Sequence, residues 1–248
     1  MQVVVDDQVV HYEKTGSGPT VVLIHGWGDS LSTFYDLQSS LSKKFTVVSI
    51  DLPGFGQSHA LNKPWDLNSY AEFLADFVNK LDLKVTTYIG HSNGGAILIY
   101  GLSNKILKAN KLVLLAPAGI RNQQQIKKQI IKVATKSGKV VTSVLPKKTR
   151  LSLRTKFYGA IGSEMLLVPN MEETFKNVVN QDIRNNAKEL KLTTLLIYGQ
   201  EDQATPMSYG EIFNKLIDNS KLVTIDHAGH FVHHDQPLQV EKLIKEFI

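Results

Sequence analysis

The chain predicts an α/β fold in which a mostly parallel sheet is covered by helices, with a helical cap inserted after the sixth strand. Three observations lead there. Short apolar runs alternate with helix-period segments over most of the length. The runs are apolar throughout, as strands buried on both faces are. One long stretch breaks the rhythm.

Taken in order, residues 3–5 and 9–13 flank Asp6-Asp7-Gln8 and read as an opening hairpin, the antiparallel edge of the sheet. Strands follow at 21–25, 46–51, 86–90, 112–116, 194–198 and 222–226, with helical periodicity at 30–42, 68–83, 93–103, 207–217 and 238–247. Residues 118–192 are far too long for one crossover. They contain amphipathic pieces at 124–137, 149–161 and 171–187, punctuated by Gly138, Pro146, Gly162 and Pro169. The chain therefore divides into a core domain, 1–117 and 193–248, and a helical cap, 118–192, expected to pack on it as a lid.

Of the 248 residues, 42% are hydrophobic and 21% charged, enough for one sizeable core with an appendage. No apolar run approaches the roughly eighteen residues of a transmembrane helix. The N-terminus lacks a basic segment followed by an apolar one. The expectation is a soluble, cytoplasmic protein with no transmembrane segment. The chain has no cysteine, which excludes disulfides, thiolate metal sites and a cysteine nucleophile, and leaves serine for covalent catalysis. Net charge is +5, but residues 121–158 carry eleven Lys or Arg and no Asp or Glu, so the remainder is net acidic. Such a face is a lysine-rich solvated surface or a dock for an acidic carrier protein. Lysines outnumber arginines there, and lysine is the poorer bidentate partner for phosphate, so no nucleic-acid partner is expected.

Gly90-His91-Ser92-Asn93-Gly94 lies between the strand-like run Thr86-Thr87-Tyr88-Ile89 and a helix opening at Asn93. In a Gly-x-Ser-x-Gly pattern the glycines remove Cβ atoms where a strand turns sharply into a helix and leave the serine Oγ exposed at the sheet's edge. Small Gly94, Gly95 and Ala96 permit close approach of helix and sheet. Ser92 is thus the candidate nucleophile, on a nucleophile elbow.

A serine hydroxyl needs a positioned base, usually histidine, and a carboxylate that holds the base in the right tautomer. His230, in Asp226-His227-Ala228-Gly229-His230-Phe231, follows the last strand and precedes the last helix; His227, His233 and His234 compete with it. Asp202 occupies the turn after the preceding strand, with Glu201 as the alternative acid. The order Ser, Asp, His suits three strand ends meeting at one edge. Acyl transfer also requires donors for a developing oxyanion. The backbone N–H groups of Asn93, after the nucleophile, and of Trp27, in the loop His25-Gly26-Trp27-Gly28, are the candidates. The Trp27 indole either lines the pocket or is structural, and His25 braces its loop. Leu145, Phe157, Tyr158, Met165 and Met171 are candidate substrate-binding residues of the cap or part of the cap's own core. Asp51-Leu52-Pro53-Gly54-Phe55-Gly56-Gln57-Ser58 lacks a Lys after its glycines and reads as a turn rather than a phosphate loop. No metal-ligand pair or dinucleotide motif is present, so no metal or cofactor is expected.

These features together resemble the α/β-hydrolase superfamily over essentially the whole chain: Val22 to Gly28, Asp51 to Ser58, Gly90 to Gly95, Gly199 to Asp202 with Pro206, and His227 to His230. The resemblance implies a triad of Ser92, Asp202 and His230, an oxyanion hole from Trp27 and Asn93, and a cap at 118–192. Its serine branch implies a carboxylesterase acting on a small-molecule ester, with small to medium apolar acyl groups as the expected substrates. His-Gly-Trp-Gly followed by Asp-Leu-Pro-Gly-Phe-Gly also looks like esterases that demethylate a pimeloyl chain on acyl carrier protein, although His-Ser-Asn-Gly-Gly departs from their usual elbow. Carbon-carbon bond hydrolases and a non-catalytic ligand-binding protein on the same scaffold are the other readings.

Overall fold

The computed structural model of the chain describes residues 1–121 and 170–248. Strands β1 (Gln2–Val5) and β2 (Gln8–Thr15) pair antiparallel through a turn in which Asp6 and Asp7 take φ values of 46° and 62°. Two successive positive φ values define the hairpin turn whose twist matches its strands. Then come β3 (Thr20–Ile24), β4 (Thr46–Ile50), β5 (Val85–His91), β6 (Lys111–Leu115), β7 (Thr193–Gly199) and β8 (Ser220–Ile225). The sheet order is β1-β2-β4-β3-β5-β6-β7-β8, parallel from β4 through β8. The chain steps from β3 to β4 on one side, then to β5 on the other. The carboxyl ends of β3 and β5 therefore flank the crevice where such sheets bind ligands.

The helices are α1 (Tyr35–Leu41), α2 (Leu67–Lys80), α3 (Asn93–Ser103), α4 (Glu172–Asn180), α5 (Arg184–Glu189), α6 (Met207–Leu216), α7 (Val232–Asp235) and α8 (Pro237–Phe247). Helix α2 starts where the Asp66 carboxylate accepts the Ser69 N–H at 2.8 Å, satisfying one of the donors a helix N-terminus leaves open. Alternate residues of each strand face opposite sides. Val22, Val48 and Tyr88 pack in one core with Phe73, Phe77 and Phe213 of α2 and α6. Val21, Val47 and Ile89 pack in the other with Leu37 and Leu41 of α1 and Ile244 of α8. Each fully buried aliphatic or aromatic side chain of this kind is worth about 1.5–3 kcal/mol.

Among the described residues no helix is long and apolar enough to cross a membrane. The expected amphipathic pieces at 124–137 and 149–161, nearly all of the basic stretch, and Leu145, Phe157, Tyr158 and Met165 lie outside the described residues. Residues 171–187, expected as one amphipathic piece, form two helices instead. The break comes at Gln181, whose backbone is extended (ψ 121°) and whose side-chain carbonyl accepts the Leu67 N–H at 2.9 Å. That contact orients the turn, and Ile183 N–H then donates to Gly119 O at 3.0 Å. Ile183, Ala187 and Leu190 are buried in the same core as β7.

Candidate active site

The turn out of β5 is a constrained piece of backbone at the crevice. Ser92 has φ 49° and ψ −116°, a positive φ that a residue with a Cβ adopts only where its surroundings enforce it. They do so here on both sides. The Ser92 N–H donates to Leu115 O at 3.0 Å, and the Ser92 carbonyl accepts from Ala96 N at 3.2 Å and Ala118 N at 3.0 Å. A Cβ at Gly94 would stand 2.3 Å from Ile24 O, so only glycine lets α3 start this close to β3.

Asp202 follows β7 in a turn that closes around its carboxylate. Oδ1 accepts the N–H groups of Ala204 (2.8 Å) and Thr205 (3.0 Å); Oδ2 accepts His230 Nδ1–H at 2.9 Å. The Thr205 hydroxyl lies 2.8 Å from Asp202 Oδ2 and 3.0 Å from Ala116 O, and its single proton serves one of them. The Asp202 side chain is completely buried. Because a buried carboxylate accepts, the ring of His230 carries its proton on Nδ1, which leaves the Nε2 lone pair free to take a proton. The residues weighed as alternatives have different environments. Glu201 and His227 stand 3.8 Å apart with side chains 67% and 88% exposed. His233 and His234 lie on α7 and turn toward Thr33, whose Oγ is 3.1 Å from the Nε2 of each.

The loop after β3 closes the third side. A Cβ on Gly26 would come within 3.2 Å of the Ser92 Cβ, so the Gly26-Trp27 backbone runs directly beside the elbow. His25 holds that loop: its Nδ1–H donates to Gly26 O at 2.7 Å and its Nε2 accepts the Leu52 N–H at 3.0 Å. Burial pushes the His25 pKa down, which keeps the ring neutral and able to do both. Asn93 opens α3, and the first N–H groups of a helix have no partner inside it. The model for the alpha/beta hydrolase fold matches residues 19–237. The chain belongs to the alpha/beta hydrolase family.

This hydrolase is similar to the pimeloyl-[acyl-carrier protein] methyl ester esterase of Pseudoalteromonas atlantica, with 23% identity over 245 residues, 91% of this chain and 93% of that one. It is similar at 23% over 257 residues to the 2-hydroxy-6-oxo-2,4-heptadienoate hydrolase of Pseudomonas putida, covering 94% and 90%. Among solved structures, an esterase from Exiguobacterium antarcticum superposes with a TM-score of 0.79 at 19% identity, covering 99% and 98%, a likeness of fold.

An apolar cluster surrounds the Trp27 side chain in this α/β hydrolase. The Trp27 indole meets Phe55 edge-on at 5.0 Å and Phe175 of α4 at 5.1 Å. Met171, just before α4, is buried over Gly54 in the same core. The Trp27 side chain is therefore part of the core. Sequence reasoning passed over three contributors. Thr205 sits three residues after Asp202, a spacing at which hydroxyls bond back into turns. Asp51 accepts Leu31 N–H at 2.7 Å, Gln57 N–H at 2.8 Å and His11 Nδ1–H at 2.9 Å, which makes the Asp51 to Ser58 segment a braced turn. His91 carried no signal at all, being a variable position of its motif. Among the described residues, no three His, Asp or Glu side chains come together as donors for a metal ion.

Proposed function

We propose that this α/β hydrolase cleaves carboxylic esters by acyl transfer through Ser92. The observation that carries the reading is the Asp202-His230 pair, a fully buried carboxylate that holds the ring in the Nδ1–H tautomer at the same sheet edge as the constrained Ser92. In the first half-reaction Ser92 Oγ attacks the ester carbonyl while His230 Nε2 takes its proton. The negative charge that develops on the carbonyl oxygen is stabilised by the backbone N–H groups of Trp27 and Asn93. Asp202 stabilises the imidazolium without accepting its proton. The tetrahedral intermediate collapses as Nε2 returns the proton to the leaving alcohol, and an acyl-enzyme remains. Water then attacks by the same route and releases the acid. The apolar cluster of Trp27, Phe55, Phe175 and Met171, carried next to Gly26 and so close to the elbow, supports a small to medium apolar acyl group. Residues 118–192 act in this reading as a cap over the pocket.

Burst-phase kinetics on p-nitrophenyl esters of increasing chain length, with intact-mass detection of the adduct, test the proposal. A burst and an acyl adduct that both vanish in Ser92→Ala are expected. Turnover without an adduct, or an undiminished burst in the variant, overturns it. A second reading follows from similarity to the pimeloyl-carrier methyl ester esterase and from the basic stretch 121–158: the ester is a methyl ester presented on an acidic carrier. Turnover of a carrier-linked methyl ester that falls steeply between 0.05 and 0.5 M salt is its signature, because the screening length shrinks to about 10 Å at 0.1 M.

A further inference from the structure

The residue before the candidate nucleophile touches all three parts of the site. His91 ends β5 and is buried. Its Nε2–H donates to the backbone carbonyl of His230 at 3.0 Å, and its ring lies 4.8 Å from that of His230. On the opposite edge, a Cβ built on Gly26 would stand 3.0 Å from His91 Nδ1, so the ring also abuts the loop that carries Trp27. We propose that His91 is a positioning residue: its Nε2–H holds the His230 backbone, and through it the imidazole, in register with Ser92. This rests on the reading of His230 as the base.

The loop from Ala228 to His230 has few other anchors among the described residues. Ala228 O accepts from Glu201 N at 2.9 Å and Gly229 N donates to Asp235 at 2.7 Å. Both tie the loop to its own side of the site, as does Asp202 through the His230 ring. The His91 bond alone among these links it to β5 and the elbow. A carbonyl only accepts, so the bond demands a proton on Nε2 and none on Nδ1, which has no partner among the described residues. A second proton would create a buried cation facing His230 and His233, with His234 behind them. Burial first, then these imidazoles, hold the His91 pKa well below the ordinary value. The ring therefore keeps one tautomer and one bond throughout the working range. Displacing a catalytic group by about 1 Å can cost on the order of a hundredfold in rate.

A fluorophosphonate ester that phosphonylates an activated serine tests this without knowledge of the substrate. His91→Phe keeps a ring among its aromatic neighbours and loses the N–H, while His91→Gln keeps an N–H at similar reach. The expected result is a kinact lowered about 10- to 100-fold in His91→Phe, with KI within about two-fold, and recovery to within about three-fold of wild type in His91→Gln. A kinact in His91→Phe within two-fold of wild type overturns the inference, as does a His91→Gln as slow as His91→Phe. His230→Ala separates the two levels. If it labels at the wild-type rate, the base is wrongly assigned and the esterase mechanism falls. If it is inert while His91→Phe labels normally, only the role of His91 falls. Should His91→Phe not fold, nitrogen-15 spectra of the wild-type protein carry the test. One His91 tautomer, protonated at Nε2 from pH 5 to 9, is expected. An Nδ1–H tautomer or titration in that range overturns the inference.

Discussion

Among the described residues, two aspartate-histidine pairs share one separation, each a buried carboxylate against a part-buried ring. His11 Nδ1 lies 2.9 Å from Asp51 Oδ2 and His230 Nδ1 lies 2.9 Å from Asp202 Oδ2; each histidine side chain is 12% exposed, and the aspartates 2% and 0%. Each carboxylate also accepts two backbone N–H groups, those of Leu31 and Gln57 for Asp51 and of Ala204 and Thr205 for Asp202. The difference lies in what each histidine is attached to. His11 belongs to β2, at the antiparallel side of the sheet, and its pair ties that strand to the turn after β4. His230 lies in a loop at the carboxyl ends of the parallel strands, against His91 and hence the elbow. Pairing alone is a structural device; it becomes chemistry where the second ring nitrogen faces a reacting group.

The comparison can be broken most directly by truncating the two histidines. His230→Ala is expected to lower kcat on an ester by about a hundred-thousand-fold, the scale of losing a triad base, whereas His11→Ala should stay within about three-fold. Equal losses in steady-state assays would show that the two pairs are not functionally distinct. Next in size, Asp202→Asn should cost about ten-thousand-fold in kcat, because an amide no longer enforces the Nδ1–H tautomer. The adjacent Glu201→Gln should change kcat by less than two-fold, and the two variants together decide which acid of the turn acts. Asp51→Asn sharpens the structural half. It sets an amide against donors and should destabilise the fold by about 3 kcal/mol in urea titrations, with kcat altered less than ten-fold.

A smaller effect comes from a buried histidine that faces other imidazoles. Burial, then the neighbouring His234 and His230, lower the His233 pKa from 6.5 to about 3. The unfolded chain takes up a proton there below pH 6.5 and the folded one does not until near pH 3. Stability contributed by neutral His233 is therefore complete above pH 6.5 and declines as the pH falls toward 3. Between pH 7 and pH 5 the loss from this residue is about 2 kcal/mol. Urea midpoints at the two pH values in wild type and His233→Gln check it, and the variant should be flatter.

What could be read from the chain was what local physics enforces. Apolar runs announced β3 to β8, the Asp6-Asp7 turn announced the hairpin, and the glycines around Ser92 announced a turn that only small residues permit. The break between α4 and α5 was not legible, because it follows from a Gln181 contact with Leu67 more than a hundred residues away. For the acid and the histidine the chain favoured Asp202 and His230, with Glu201, His227, His233 and His234 left as competitors because residue type and spacing say nothing of desolvation.

Sequence by itself therefore determined the fold family, the elbow at Ser92 and the order in which serine, acid and histidine appear, since these depend on spacing, periodicity and turn chemistry within short windows. Tertiary structure alone decided that Asp202 is enclosed while Glu201 is in water, that the favoured His230 meets that carboxylate at hydrogen-bond distance, and that His91 touches both the elbow and the histidine loop. The reason is physical: a side chain's role depends on desolvation and on partners brought from distant strands, and neither is encoded by its immediate neighbours in the chain.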